Sequence, residues 1–304
     1  MNSEVKPLPD VAFEQAQYQR PLNWVGMANV ALPVIWEGVT MAANVDVFVN
    51  LTDADARGIH MSRLYLQIQD AFASSELSRE LLETVLRNLV DTQEGSSDAA
   101  RLVFRFDALL SREALASDNK GWRRYPVTLD TSWSVADGFR WNLKFPVTYS
   151  STCPASAALS RRANAEHFES TFGPRTEALI ADIGAWIAGP SALAATPHAQ
   201  RSNAWIDVDL STSLSSLPMR SLLDALELAL ATVVQTAVKR EDEQAFARLN
   251  AANLMFCEDA SRRVAAVLSS RDDVVRFNAK VEHLESLHAH DAVAYVSGAG
   301  RAKN

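Results

Sequence analysis

The stretch Trp141-Asn-Leu-Lys-Phe-Pro-Val-Thr-Tyr149 alternates apolar and polar side chains along most of its length. Alternation with a period of two is typical of a β-strand that buries one face. The stretch therefore predicts a long strand that ends just before Cys153. The same alternation predicts further strands at residues 45–51, 102–106, 206–210 and 275–281.

Helices are predicted between these strands, because the apolar residues there recur with a period near that of an α-helix. The apolar stripes predict helices over residues 81–89, 222–237 and 258–268, with shorter helical pieces within 157–190. Residues 64–72 fit either a helix or a strand.

The order of strands, helices and strands occurs twice, which predicts an α+β chain of two modules with largely antiparallel sheets. We place the first module at residues 1–135 and the second at residues 136–304. The stretch Gly189–Pro197 is interpreted as a loop that closes an insertion at about residues 157–197.

The composition is that of a globular protein, with 48% hydrophobic and 22% charged residues among 304. A formal net charge of −8 argues against a nucleic-acid partner but leaves room for a local basic pocket. The sequence has no apolar run long enough to span a bilayer, and its N-terminus lacks the features of a secretory signal. Two cysteines are too few for a disulfide framework. We therefore predict a cytoplasmic protein with no membrane partner.

Metal-binding and proton-transferring residue types concentrate in three segments, residues 149–156, 196–202 and 284–290. A hydrolytic metal site needs about three such ligands and one open position. The residue types alone leave other interpretations open. Cys153 also fits a small buried side chain, and His198 a loop residue without a role. Glu285 and His288, three residues apart, also fit a solvated pair on a helix.

Six short motifs lie in order within residues 40–295. They are Arg57-Gly-Ile-His-Met-Ser-Arg63, Ser151-Thr-Cys-Pro-Ala-Ser156, Pro197-His-Ala-Gln-Arg-Ser202, Lys239-Arg-Glu-Asp-Glu243, Phe256-Cys-Glu-Asp259 and Leu284-Glu-Ser-Leu-His-Ala-His-Asp-Ala292. Each resembles a motif of the type I B GTP cyclohydrolase family. Any one of them alone is weak, but six in order identify a resemblance to that family across most of the chain.

The resemblance implies a set of metal ligands, namely Cys153, His198 and Glu243. Their donor types suit a divalent ion, and leave open whether it is zinc, manganese or iron. The resemblance also implies that Glu258 anchors the guanine edge, and that Glu285 is an acid–base group beside the metal.

His288 is the second acid–base group that the resemblance implies. Histidine suits this role because the ordinary pKa of its side chain lies near neutral pH. His60 has two open interpretations: it lines the pocket of a neighbouring subunit, or it packs under the sheet. The cations available for a triphosphate are Arg57, Arg63, Arg201, Lys239 and Arg240.

The function implied by the resemblance is metal-dependent hydrolytic opening of GTP at C8. The products are 7,8-dihydroneopterin triphosphate and formate, and the reaction is the first step of tetrahydrofolate and pterin biosynthesis. The implied architecture is a pair of tandem tunnelling-fold modules with helices on one face of the sheet, assembling into a barrel. A homotetramer with active sites at subunit interfaces is also implied. The alternatives are another pterin or deazapurine enzyme of this fold, or a non-catalytic purine-binding relative.

The chain departs from the family pattern at two places. Ala155 stands where the family has a second cysteine. If only Cys153 binds the metal, as the resemblance implies, catalysis survives this change, whereas an essential second thiol would leave the chain disabled. More than forty residues separate Cys153 from His198, and we interpret residues 157–197 among them as a surface insertion.

Overall fold

Long antiparallel strands make up the framework of the protein. The computed structural model describes residue 12 and residues 14–173 and 180–303. In this part of the chain the strands are β1 (Leu22–Trp36), β2 (Val39–Leu51), β3 (Ala99–Glu113), β4 (Lys120–Ser134), β5 (Gly138–Thr152), β6 (Ala199–Leu210), β7 (Val274–His283) and β8 (Ala292–Ala299). They form one sheet in chain order, each antiparallel to the next.

Helices connect the strands at three places in the chain. In the described residues they are α1 (Met61–Phe72), α2 (Arg79–Asp91), α3 (Pro154–Phe172), α4 (Ile180–Ile187), α5 (Met219–Leu230), α6 (Arg240–Ala252) and α7 (Cys257–Ser269). Helices α1, α2, α5 and α7 pack against the sheet. None of the described helices is both long and apolar enough to cross a membrane.

The core lies between one face of the sheet and these helices, because alternate strand residues point to that face. On β5, Leu143, Phe145 and Val147 are each at most 2% exposed. Burying a side chain of this size is worth about 1.5–3 kcal/mol. Phe72 of α1 and Phe104 of β3 meet edge to face, with ring centroids 5.0 Å apart. The predicted α+β class with antiparallel strands is therefore confirmed.

The opposite face of the sheet carries polar side chains that pair across neighbouring strands. Arg105 binds the Asp46 carboxylate through two hydrogen bonds, of 2.9 and 2.7 Å. Lys144 on β5 likewise pairs with Asp207 on β6 at 2.8 Å. This face therefore carries charged pairs between neighbouring strands, which the helical face does not need because it is covered by the apolar core.

Two predicted helices differ from those observed. Residues 64–72, which fitted either period, belong to α1. The helix predicted over residues 222–237 ends at Leu230, because Ala231 adopts a left-handed backbone with φ of 64°. Beyond it, the Thr232 carbonyl accepts a hydrogen bond from the Ser150 amide at 2.8 Å, so the chain joins β5 instead of continuing the helix.

The predicted boundary between residues 135 and 136 lies in the turn that joins β4 to β5, where the sheet continues through hydrogen bonds between the two strands. That the two halves are separate modules stays a prediction. The segment interpreted as an insertion lies between β5 and β6. In it, α3 buries only Ala157, Ser160 and Phe172, and α4 buries none of its residues.

Candidate functional site

Three predicted site segments meet at one end of the sheet. Neighbouring antiparallel strands run in opposite directions, so the end of β5 lies beside the start of β6 and the end of β7. Thr152 pairs with Ala199, and Ser202 pairs with His283. We call this end of the sheet, where β5 and β7 end and β6 begins, the site end.

Cys153 and His198 are held together at the site end by backbone contacts. The Cys153 amide donates to the His198 carbonyl at 3.2 Å. The His198 amide in turn donates to the Ser156 hydroxyl at 3.1 Å. The half-buried thiol of Cys153 caps α3, and its Sγ lies 3.5 Å from the Ser156 amide. Ala155, in the first turn of α3, is exposed to solvent.

Gln200 joins His198 to Glu285. Its Oε1 lies 3.0 Å from His198 Nδ1, and its Nε2 donates to Glu285 Oε1 at 3.3 Å. Glu285 Oε2 lies 3.6 Å from the same His198 nitrogen. The two side chains are 19% and 12% exposed, so this contact is shielded from bulk water. The structure thus brings a predicted ligand and a predicted acid–base group side by side.

His288 lies in the exposed loop that follows Glu285. Its ring stacks on that of His290, with centroids 5.0 Å apart and planes inclined by 14°. The Asp291 carboxylate accepts the Glu285 amide at 3.2 Å and so fixes the start of this loop. The predicted acid–base residues Glu285 and His288 therefore share one loop at the site end.

Glu243 lies on α6 and lines a recess of about 450 Å³ together with Gln200, Arg201 and Tyr149. Its side chain is exposed. Among the described residues, no three His, Cys, Asp or Glu side chains are grouped so as to hold a metal ion. The structure therefore brings Cys153 and His198 together and places Glu243 on a recess beside them, without joining all three.

Asp242 fixes the start of the helix that carries Glu243. Its buried carboxylate accepts the amides of Ala116, Ser117 and Lys239, each at 2.8 Å. These hydrogen bonds, led by that from the Lys239 amide, hold the pKa of Asp242 well below its ordinary range. The β3–β4 loop and the N-terminus of α6 are thereby tied together.

Glu258 is an exposed residue in the first turn of α7, next to a buried cluster. Its own backbone N–H and the Cys257 thiol both donate to the carboxylate, which lowers the pKa of Glu258. Burial raises the pKa of Cys257 to about 11, and the bond to Glu258 acts in the same direction. Glu258 is thus kept ionised, and an ionised carboxylate acts only as a hydrogen-bond acceptor.

Tyr149 and His283 form a buried pair behind Glu258. The Tyr149 hydroxyl lies 2.8 Å from His283 Nε2. Burial lowers the pKa of His283 to about 4, and the negative charge of Glu258 opposes this only in part. Burial also raises the pKa of Tyr149. At neutral pH the imidazole is therefore uncharged, and it shares one buried hydrogen bond with the phenolic hydroxyl.

The motif at Arg57–Arg63 lies at the other end of the sheet, between β2 and α1. β5, which has 15 residues, spans about 45 Å between the two ends. There Arg57 pairs with Glu14, Arg63 binds Glu94 and the Thr92 carbonyl, and the His60 amide donates to Gln93. Within one chain these residues do not meet Cys153 or His198.

The other predicted phosphate-binding cations are closer to the site. Arg201 follows Gln200 on β6 and lines the recess with Glu243. Lys239 and Arg240 are exposed at the N-terminus of α6. These three cations lie at the same end of the sheet as the candidate ligands.

Comparison with known proteins matches most of the chain to one family. The family model described as "Type I GTP cyclohydrolase folE2" matches residues 8–294. A relative from Pseudomonas putida (strain GB-1), named GTP cyclohydrolase FolE2, is 46% identical over 287 residues, which cover 94% of each chain. The chain belongs to the type I GTP cyclohydrolase family.

Solved structures of lower similarity establish the fold of this family member. Uricase from Arthrobacter globiformis matches with a TM-score of 0.51 at 11% identity, over 93% of this chain and 95% of that one. A uricase from Bacillus fastidious gives a TM-score of 0.51 at 10% identity, over 91% and 93%. At such identities the likeness concerns the fold alone. It confirms the predicted tunnelling fold.

Gln200 and His283 were not predicted as site residues of this GTP cyclohydrolase family member. Gln200 lies within the Pro197–Ser202 motif, and the alternation along β6 puts it on the buried face with Ser202. The sequence signal that could have identified Gln200 is an amide on the buried face of a strand, two residues after the candidate ligand His198.

Proposed function

We propose that this enzyme opens the guanine ring of GTP at C8 by hydrolysis and releases formate and 7,8-dihydroneopterin triphosphate. In that role it would begin tetrahydrofolate and pterin biosynthesis. Family membership supports GTP as the substrate. The observation that carries the proposal is the grouping of Cys153, His198 and Glu285 at the end of β5 and β6.

A divalent metal ion, zinc, manganese or iron, is part of the proposal. Cys153, His198 and Glu243 would hold it, and their thiolate, imidazole and carboxylate donors suit such an ion. Cys153 and His198 are already adjacent, and Glu243 lines the neighbouring recess. When bound, the ion would supply Lewis acidity that makes water a better nucleophile at neutral pH.

Proton transfer is assigned to Glu285 and His288. Glu285 is half-buried and held by Gln200, so its carboxylate has a fixed direction toward His198. His288 lies on a loop and can approach substrate through a small movement of that loop. We assign Glu258 to the guanine edge, where its ionised carboxylate would accept N–H hydrogen bonds.

The triphosphate needs cations. Arg201, Lys239 and Arg240 of the same chain are available at the site end. Arg57, His60 and Arg63 could reach a site only from another copy of the chain, because the length of the sheet separates them from Cys153. We therefore propose a homotetramer whose tunnelling-fold barrel brings the far end of one subunit to the site end of another.

Turnover by the purified, chelator-treated protein tests the reaction. GTP would be supplied with zinc, manganese or iron in separate samples, and formate and oxidised neopterin would be measured together. Formation of both with at least one metal supports the proposal. A folded protein that binds GTP but releases neither product with any metal contradicts it, and would favour a non-catalytic purine-binding protein.

Mixed assemblies test the shared site. Cys153→Ala and Arg57→Ala are each expected to be inactive, since one removes a ligand and the other a cation. Co-refolded mixtures should regain activity if the two residues serve one site from different subunits. Mixtures that stay inactive, although exchange of subunits is confirmed by mass, contradict a site shared in this way.

A further inference from the structure

Gln200 makes hydrogen bonds to two groups of the candidate site at once, and it is only 8% exposed. We propose that Gln200 is a positioning residue that fixes the tautomer of His198 and couples that imidazole to Glu285. The part of this proposal that concerns metal binding rests on the function proposed above. The tautomer itself can be measured without metal or substrate.

The orientation of the Gln200 amide follows from its neighbours. Nε2 donates to the Ser151 hydroxyl at 2.9 Å and to Glu285 Oε1 at 3.3 Å. A carboxylate accepts hydrogen bonds and has no proton to give. Turning the amide over would set its carbonyl oxygen against the Glu285 carboxylate, which is repulsive. The amide nitrogen must therefore point toward Glu285.

The serine pair next to Gln200 is consistent with this orientation. Ser151 accepts from Gln200, which leaves its own proton for the Ser202 hydroxyl at 2.8 Å. Ser151 and Gln200 face each other in the register of β5 and β6. The strand pairing thus sets where the amide lies, and both serines are buried, which excludes competing water.

The tautomer of His198 follows from the amide orientation. With Nε2 committed to Glu285 and Ser151, the atom that faces His198 Nδ1 at 3.0 Å is the Gln200 carbonyl oxygen. An oxygen acceptor there requires Nδ1 to carry the proton. Glu285 Oε2, 3.6 Å from the same nitrogen, favours that proton too. The lone pair of a neutral His198 therefore resides on Nε2.

This state is the one a metal ligand needs. A histidine that binds a metal through one ring nitrogen usually donates the other N–H to a carbonyl or carboxylate, and loss of that partner typically weakens metal binding 10- to 100-fold. Gln200 supplies the carbonyl oxygen, and through its amide nitrogen it holds Glu285 beside the same ring. One side chain thus orients a proposed ligand and a proposed acid–base group.

Nitrogen NMR of the metal-free protein, labelled with ¹⁵N-histidine and kept at pH 8, tests the tautomer. The His198 signals would be assigned by their loss in His198→Gln. The wild-type protein should show a protonated Nδ1 and an unprotonated Nε2. A wild-type His198 with its proton on Nε2 would overturn the proposal without reference to any variant.

Gln200→Leu tests the coupling, with Asn203→Ala as the matched control. Asn203 lies on the same strand, but its amide bonds to Thr148 and not to the site. Gln200→Leu should yield a mixed or Nε2-protonated His198 and a zinc dissociation constant raised about 10- to 100-fold, measured against a competing chelator. Asn203→Ala should change neither quantity.

Unchanged tautomer and zinc affinity in Gln200→Leu would overturn the proposal. The test also separates this inference from the proposed reaction. A protein that never turns over GTP, but whose His198 tautomer depends on Gln200, supports the positioning role and contradicts only the proposed function.

Discussion

Protonation of the buried His283 should destabilise the protein as the pH falls. Burial lowers the pKa of His283 from its ordinary value of 6.5 to about 4. Above pH 6.5 the imidazole is neutral in both the folded and the unfolded chain, so it adds no pH dependence. Between pH 6.5 and 4 the unfolded chain takes up a proton that the folded chain does not, so stability falls in this window.

The size of the effect follows from the same two values. A tenfold difference in proton affinity corresponds to about 1.4 kcal/mol, so the full loss below pH 4 is about 3 kcal/mol. At pH 5 the loss is about 2 kcal/mol. Against a total stability of about 5–15 kcal/mol for a folded domain, this is measurable.

Urea unfolding at a fixed protomer concentration between pH 7 and 4.5 measures this effect, because association also shifts apparent stability. Other groups titrate in the same range, so the quantity to follow is the difference between the wild-type protein and His283→Gln. The free energy of unfolding of the wild-type protein minus that of His283→Gln should fall by about 2 kcal/mol between pH 7 and pH 5.

Tyr149→Phe distinguishes burial from hydrogen bonding as the cause. It removes the hydroxyl that lies 2.8 Å from His283 but leaves the imidazole buried. Because burial is the main cause of the lowered pKa, Tyr149→Phe should retain most of the pH-dependent loss. A wild-type-minus-His283→Gln difference that stays constant from pH 7 to pH 4.5 would refute the reasoning.

Three further substitutions have distinct expected results. Cys153→Ala should lose both bound metal and activity, and full metal content by elemental analysis would show that Cys153 is not a ligand. Glu258→Ala should weaken GTP binding by titration calorimetry while metal content stays unchanged, and equal loss of metal would place Glu258 among the ligands. Asp242→Ala should speed hydrogen exchange at residues 116, 117 and 239 by roughly tenfold or more, because their amides lose a charged acceptor. Unchanged exchange there would mean that other contacts hold the loop to α6.

Local periodicity predicted much of the fold. All five predicted strands are present, including the one over residues 141–149, because alternation along a strand directly reflects which face is buried. The overlong helix at 222–237 shows the limit of this signal. The apolar stripe continues past Leu230, but backbone hydrogen bonds to β5 compete with the helix there. Such competition between distant segments is not visible in a local pattern.

The candidate site was likewise predicted only in part from the sequence. The ordered motifs supplied the residue types, the family and the pairing of Cys153 with His198, since these depend on short segments at strand ends. The position of Arg57 depends on strand direction: it follows β2, which ends at the opposite end of the sheet from the end of β5. The order of the motifs along the chain does not reveal in which direction each strand runs.

Gln200 and His283 show what the tertiary structure alone decided. Their residue types and positions are written in the sequence, but an amide or an imidazole acquires its role from the groups it faces. The register of β5, β6 and β7 brings Gln200 between His198 and Glu285, and sets His283 against Tyr149 away from water. Burial and hydrogen-bond partners then set the tautomer and the pKa, and both arise only when distant strands come together.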